Sequence, residues 1–169
     1  MISPRAQVDT DVRLGDGTRV WQFASVIRGA IIGKNCSVAS CAIVDGAILG
    51  DGCIVAHGAS VHPGAKIGNR VFIGPGAVLC NDRWPKAHKY GFDIDKLLGG
   101  FVGILIEDEA SIGANAVILP GVVIGASAMI AAGAVVTGNV PARSLWRRDG
   151  LIKLNEAVRA HDRMREAQC

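Results

Sequence analysis

Large rings are scarce in this chain. One tyrosine, four phenylalanines and three tryptophans stand among 169 residues, an aromatic fraction of 5%, although half of all residues are hydrophobic. A wide core built on stacked rings is therefore excluded, because rings dominate the buried area of such cores. Charge is balanced as well: 18 Lys and Arg against 15 Asp and Glu leave +3, too mild to imply a nucleic-acid partner. No stretch of 18 apolar residues occurs and no basic segment with an apolar run opens the chain, so neither a membrane span nor export by a cleaved leader is expected. The five cysteines form no Cys-x-x-Cys pair and no disulfide-rich density, which favours reduced thiols and the cytoplasm. Gly-x-Ser-x-Gly and an activated Cys-His pair are both missing, so chemistry through an acyl-enzyme is not indicated.

What the chain does hold is a six-residue period. Aliphatic residues fall at Ile2, Val8, Leu14, Val20, Val26, Ile32 and Val38. They resume one residue early at Ile43, Leu49, Val55, Val61, Ile67, Ile73 and Leu79, and return at Ile106, Ile112, Ile118, Ile124, Ile130 and Val136. A small residue follows four positions after most of them, as at Ala24, Ala30, Cys36, Ala42, Ala110, Ala116 and Ala134. Strands repeat every two residues and helices every 3.6, so neither alone gives a strict six. Short strands joined by tight corners do, three hexads closing one triangular coil. The aliphatic residues should point inward and the small ones fill the corners, in an interior one side chain wide. The expected fold is an all-β parallel β-helix of six to seven coils over residues 1–140. One long loop, 80–105, is inserted in it. An extension, 141–169, follows with an amphipathic helix at about 150–167, from the spacing of Leu151, Leu154, Ala157 and Val158. Cys36 and Cys53, three hexads apart, should stack in adjacent coils.

The hexads resemble those of the left-handed β-helix acyltransferases, the hexapeptide-transferase superfamily, over residues 2–140. The left hand is implied by that resemblance, since the general rule for parallel crossovers favours the right. A narrower likeness is carried by Val71-Phe72-Ile73-Gly74-Pro75-Gly76 through Asn81-Asp82-Arg83-Trp84-Pro85. This stretch, with Arg19-Val20-Trp21-Gln22-Phe23 and the coils from Ala110 to Thr137, resembles the N-acetyltransferases of nucleotide-linked 3-amino sugars. The resemblance implies acetyl-CoA as co-substrate, no metal, a homotrimer with sites between neighbouring prisms, and a product destined for surface polysaccharide. The Gly-Asn-Pro that the family carries after its Val-Pro is absent here, where Val140-Pro141 leads into Ala142-Arg143-Ser144-Leu145-Trp146-Arg147-Arg148.

Direct acyl transfer needs a neutral nucleophile, alignment and a donor for the developing oxyanion, and histidine is the usual base. His57, two residues past inward Val55, should project outward one coil from the root of the loop. It is read as a base, an amine-positioning residue or a surface histidine. His88 on the loop is its rival; unaided proton loss from the substrate is a third possibility. Asn81 and Asp82 are candidates to grip the sugar, or else they cap the loop turn. Trp84 is a candidate to stack on the nucleotide base, or else it plugs the subunit seam. Ala114 and Ala132, small and two past the late aliphatics, should leave room for the pantetheine arm, and Arg147 and Arg148 are candidates for cofactor phosphate. Outward Ile27, Val44, Ile48 and Val123 should lie at subunit seams.

Three other readings compete. Acetylation of oxygen in a sugar or small acceptor is the first. The second is a metalloenzyme, because His57 and His62, five apart, resemble the paired zinc histidines of γ-class carbonic anhydrases. Those need a third histidine upstream, and residues 1–56 contain none. A non-catalytic β-helix scaffold is the third, in which the loop would have little purpose.

Overall fold

The computed structural model describes residues 1–82, 85 and 103–153. Within them the chain is a left-handed parallel β-helix with three faces. The first face stacks Gln7–Val8, Ser25–Ile27, Ile43–Asp45, Ser60–Val61, Val78–Leu79, Val117–Ile118 and Val135–Val136. The second stacks Arg13–Leu14, Ile31–Ile32, Ile48–Leu49, Ala65–Ile67, Ile104–Ile106 and Val122–Ile124. The third begins at Arg19–Val20 and runs through Ser37–Val38, Ile54–Val55, Phe72–Ile73, Ser111–Ile112 and Met129–Ile130 to Ser144–Arg147. On this third face Ile2, Val20, Val38, Val55, Ile73, Ile112, Ile130 and Trp146 lie in register, one above another, so about seven turns are completed.

The period follows from packing. Each strand directs one aliphatic residue inward, and Val20, Val26, Val38, Val55, Ile73, Leu79, Ile112 and Ile118 are fully buried. Each such side chain contributes about 1.5–3 kcal/mol of hydrophobic stabilisation. The corner residues Ala24, Ala30, Cys36, Ala42, Ala110 and Ala116 are buried beside them. Neighbouring coils are close enough that some corners admit no side chain: a Cβ at Gly113 would lie 2.5 Å from the amide nitrogen of Ala132. Cys36 and Cys53 do stack, the Cys53 amide donating to Cys36 Sγ at 3.3 Å while the two thiols donate to the carbonyls of Gly50 and Gly68. Both are free. With Cys53 directed at it, the Cys36 thiol is held down at about 7, and the same contact pushes Cys53 up.

Three expectations are corrected. The register slips after Val44 and not before Ile43: Val44 pairs with Val26 and Val61 and is fully buried, whereas Ile43 is partly exposed. Gly46 makes the short corner possible. At φ 57° it turns the chain in the left-handed region and donates to the Ile27 carbonyl at 3.0 Å, so Leu49 reaches the core one residue early. Val44 is therefore a core residue and belongs to no seam, while Ile27, Ile48 and Val123 stay at the surface. The third correction concerns the extension. Gly150–Lys153, where a helix was expected to start, is a strand paired antiparallel with Ser144–Arg147. Residues 154–169, which hold the rest of that expected helix, lie outside the described residues. Among the described residues no helix is long and apolar enough to cross a membrane.

Candidate functional site

Three edges join the three faces, and each has its own chemistry. Between the third face and the first, hydrogen bonds run from each corner to the coil before it. Phe23 N donates to Arg5 O, Cys41 N to Gln22 O, Gly58 N to Ser40 O, Gly76 N to His57 O, Asn115 N to Pro75 O and Gly133 N to Ala114 O. Gln22, Ser40, His57, Pro75 and Ala114 thus form one column, with a step of about 4.8 Å per coil, and Ala132, two past Ile130 as Ala114 is two past Ile112, continues it. In the first coil Arg5, three past Ile2, stands against Phe23. Ala131 N bonds Trp146 O at 2.9 Å, which sets Arg147 and Arg148 at the next level of the same edge. Five of the residues singled out from sequence therefore share this histidine edge. His57 and Ala132 are exposed, Ala114 is half-exposed, and Arg147 is paired with Asp149 at 2.8 Å.

The loop edge, between the first and second faces, carries the insertion. Leu79 pairs with Val61, which sets Cys80 against His62, and the chain returns where Gly103 N donates to Gly64 O at 2.7 Å. Asn81 and Asp82, both half-buried, stand at this root. Burial pushes the Cys80 thiol up. Val44 pairs with Val61, so Asp45 stands against His62 on the other side. Asp45 is buried and takes two hydrogen bonds from Arg28, whose guanidinium is held above its ordinary value by that carboxylate. His57, expected one coil from the loop's root, lies across the whole first face from it. The reason is that the loop leaves at the end of Val78–Leu79, one corner later than His57's own column. His62 is the histidine beside the root. Trp84 and His88 lie outside the described residues.

The ladder edge, between the second and third faces, is closed upon itself. Lys34 N donates to Asp51 Oδ1 at 2.7 Å, Asp51 N to Asn69 Oδ1 at 2.9 Å, and Asn69 N to Asp108 Oδ1 at 2.8 Å. Arg70 pairs with Glu109, which also accepts from Ser127. The Asn69 amides hold the Asp108 carboxyl below the usual range, and the Arg70 guanidinium does the same for Glu109. These polar groups are consumed by the scaffold.

Sequence reasoning missed the partners of His57. Gln22 and Ser40 sit two residues past inward Val20 and Val38, as His57 sits two past Val55, so the same count would have aligned them. Flanking Gln22 are Trp21, 41% exposed with its indole nitrogen donating to Ser37 Oγ at 3.1 Å, and Phe23, 58% exposed at φ 61°. Cys41, Gly58, Gly76, Asn115 and Gly133 fill that corner position in the later coils, all in the left-handed region. A bulky side chain in the left-handed region costs about 1–3 kcal/mol. As for metal, His57 and His62 occupy different edges, and among the described residues no three His, Cys, Asp or Glu side chains converge within one chain.

The chain matches the family described as Bacterial transferase hexapeptide (six repeats) at residues 46–81 and 103–138. It is 30% identical over 141 residues to the bifunctional protein GlmU of Exiguobacterium sp., covering 83% of this chain and 28% of that protein. It is 32% identical over 147 residues to gamma carbonic anhydrase 1, mitochondrial, of Arabidopsis thaliana, covering 86% of this chain and 44% of that protein. Among solved structures, a variant of perosamine N-acetyltransferase from Caulobacter crescentus, in complex with CoA and GDP-perosamine, superposes with a TM-score of 0.50 at 26% identity. That match covers 85% of this chain and 50% of the other. The chain thus spans half or less of the length of each of these relatives.

Proposed function

We propose that this chain, a left-handed β-helix of bacterial transferase hexapeptide repeats, is an acetyl-CoA-dependent N-acetyltransferase. Its acceptor in this reading is a nucleotide-linked amino sugar for surface polysaccharide, modified in the cytoplasm. One observation carries the reading: His57, Ala114, Ala132, Arg147 and Arg148 align on a single edge. From His57 to Ala132 is three coils, roughly 14 Å, a span that suits an extended pantetheine arm. Ala114 and Ala132 raise nothing larger than a methyl over that track, and Arg147 and Arg148 stand at its far end for phosphate. The perosamine enzyme, solved with CoA and GDP-perosamine, supports both the cofactor and the acceptor class.

The acceptor's neutral amine attacks the thioester carbonyl directly. A tetrahedral oxyanion forms, then collapses with loss of the coenzyme A thiolate, and the amine's proton passes to His57 Nδ1 or Nε2 or to the departing sulfur. His88 is the alternative base. Asn81, Asp82 and Trp84 are assigned to the acceptor, but the edge that holds Asn81 and Asp82 is separated from His57 by the first face. A second subunit brings the loop edge of one prism to the histidine edge of its neighbour, which is the reason a homotrimer is part of the proposal. Exposed Ile48 and half-exposed Ile27 and Val123 supply apolar surface for it.

Thiol release from acetyl-CoA, read across UDP- and dTDP-linked amino sugars and matched hydroxyl sugars, tests the reading. Turnover with amino sugars is the expected result; turnover only with hydroxyl sugars would transfer the proposal to oxygen acetylation. The likeness to the plant carbonic anhydrase makes zinc content a necessary companion measurement. A stoichiometric zinc in the purified protein would overturn the transferase reading.

A further inference from the structure

We infer that the N-terminal half of the histidine edge is the acceptor's subsite. In it Trp21 and Phe23 form an aromatic shelf for the ring system of a nucleotide-linked sugar, and Gln22 and Ser40 hydrogen-bond its hydroxyls. This rests on the transferase reading and adds to it a set of residues outside the inserted loop.

The edge changes character at His57. On the C-terminal side the column is Pro75, Ala114 and Ala132, short side chains with no hydrogen-bonding head. On the N-terminal side it is Ser40 and Gln22, a hydroxyl and an amide at successive levels, with Arg5 in the first coil against Phe23. An extended thioester needs clearance, while a polyhydroxylated ring needs donors and acceptors, so the two halves suit the two reactants. Spacing agrees with this. Ser40 is one coil from His57 and Gln22 two, roughly 5 and 10 Å, so an amine at His57 places the sugar ring at Ser40 and the diphosphate and base toward Gln22 and Arg5.

The aromatic residues give the second line of argument. In a chain this poor in rings, two of the eight lie exposed around Gln22. Phe23 holds the left-handed corner conformation that Cys41, Gly58, Gly76, Asn115 and Gly133 take in later coils of the same edge, and it is the bulkiest of the six. That residue meets solvent over more than half its surface in the single chain. Aromatic faces bind the apolar faces of sugars and stack on nucleobases, each stacked base being worth a measurable share of affinity. Trp21 is oriented for this by its hydrogen bond to Ser37 on the next coil.

Phe23→Gly is the informative variant, because it removes the ring while relieving the corner, so a loss of function cannot be ascribed to unfolding. With the amino sugar that the wild type acetylates, Phe23→Gly and Trp21→Ala should each raise the acceptor KM about tenfold, the scale of one lost stacking contact. The KM for acetyl-CoA, the melting temperature and the sedimentation coefficient should hold. A separate arm needs no turnover: UDP and dTDP should quench the intrinsic tryptophan fluorescence of the wild type and quench it measurably less in Trp21→Ala, where only Trp84 and Trp146 remain to respond. If the wild type acetylates nothing but the quench is present, the transferase reading fails and the subsite stands. Acceptor KM within twofold of wild type in both variants would overturn the subsite. So would a loss of assembly with unchanged KM, which would assign the two rings to a subunit seam.

Discussion

The histidine edge and the ladder edge are built from the same corner geometry, seven turns of the same coil, yet they spend their polar groups in opposite ways. Along the ladder edge Asp51, Asn69 and Asp108 each accept a backbone amide from the neighbouring coil, and Arg70 is tied to Glu109. Along the histidine edge the backbone bonds only itself from coil to coil, and His57, Gln22, Trp21 and Phe23 face outward. A side chain that caps its own scaffold is a stability element; one that the scaffold leaves at the surface of an ordered edge is available to a ligand. The comparison predicts that activity and stability separate by edge.

The largest expected effect is on the histidine edge. His57→Ala should lower kcat on the order of 10²- to 10⁴-fold if the imidazole is the general base, with the melting curve unmoved. The His88→Ala variant belongs beside it. Full turnover in both would replace the protein base by proton loss from the substrate itself. Next comes Ala132→Trp, which should raise the KM for acetyl-CoA roughly tenfold by filling the track, a change of about 1.4 kcal/mol, while the acceptor KM stays put. Unchanged coenzyme A affinity by calorimetry would move the pantetheine track off this edge.

The ladder edge should respond the other way. Asn69→Ala removes the acceptor of the Asp51 amide and the donor to Asp108, costing about 1 kcal/mol and lowering Tm by roughly 2–4 °C with kcat/KM intact. Smallest is Asp108→Asn. Because the Asp108 carboxyl is held low by Asn69, its contribution is complete above the ordinary carboxylate pKa and is lost as pH falls through the lowered value. Asparagine keeps the acceptor oxygen without titrating. The variant should therefore match the wild type at neutral pH and lose part of the acid-side fall in Tm, scanned from pH 6 to pH 2.

The inward positions were legible in the sequence because a prism one side chain wide tolerates nothing else there, and the aliphatic period from Val8 to Val136 records that constraint directly. The slip near residue 44 was not, since Ile43 and Val44 are both aliphatic and only the left-handed turn at Gly46 decides which faces in. The site was legible in part. His57, Ala114 and Ala132 were chosen by the count from the aliphatic residue, and that same count fixes their edge. The loop was assigned to the wrong edge because the hexad says where the pattern stops, whereas the corner of departure follows from which face Val78–Leu79 joins. The hairpin at Ser144–Lys153 turns through Arg148-Asp149, with Arg147 paired to Gly150, so its local signal was weak: neither loop residue is the glycine that such turns favour. The helical spacing of the residues beyond obscured it.

That hairpin bears on the fate of the solenoid's last coil. A parallel coil that simply stops presents a row of unpaired amides and carbonyls with the right spacing and polarity to receive the first coil of another chain, and so to grow a fibre. On the third face Gly150–Lys153 reverses direction against Ser144–Arg147, so the last strand there among the described residues runs counter to every strand beneath it. An incoming parallel coil then finds the hydrogen-bonding rhythm mismatched on one of its three sides. Among the described residues, the ten of this hairpin thus break the uniform polarity of the stack on that face.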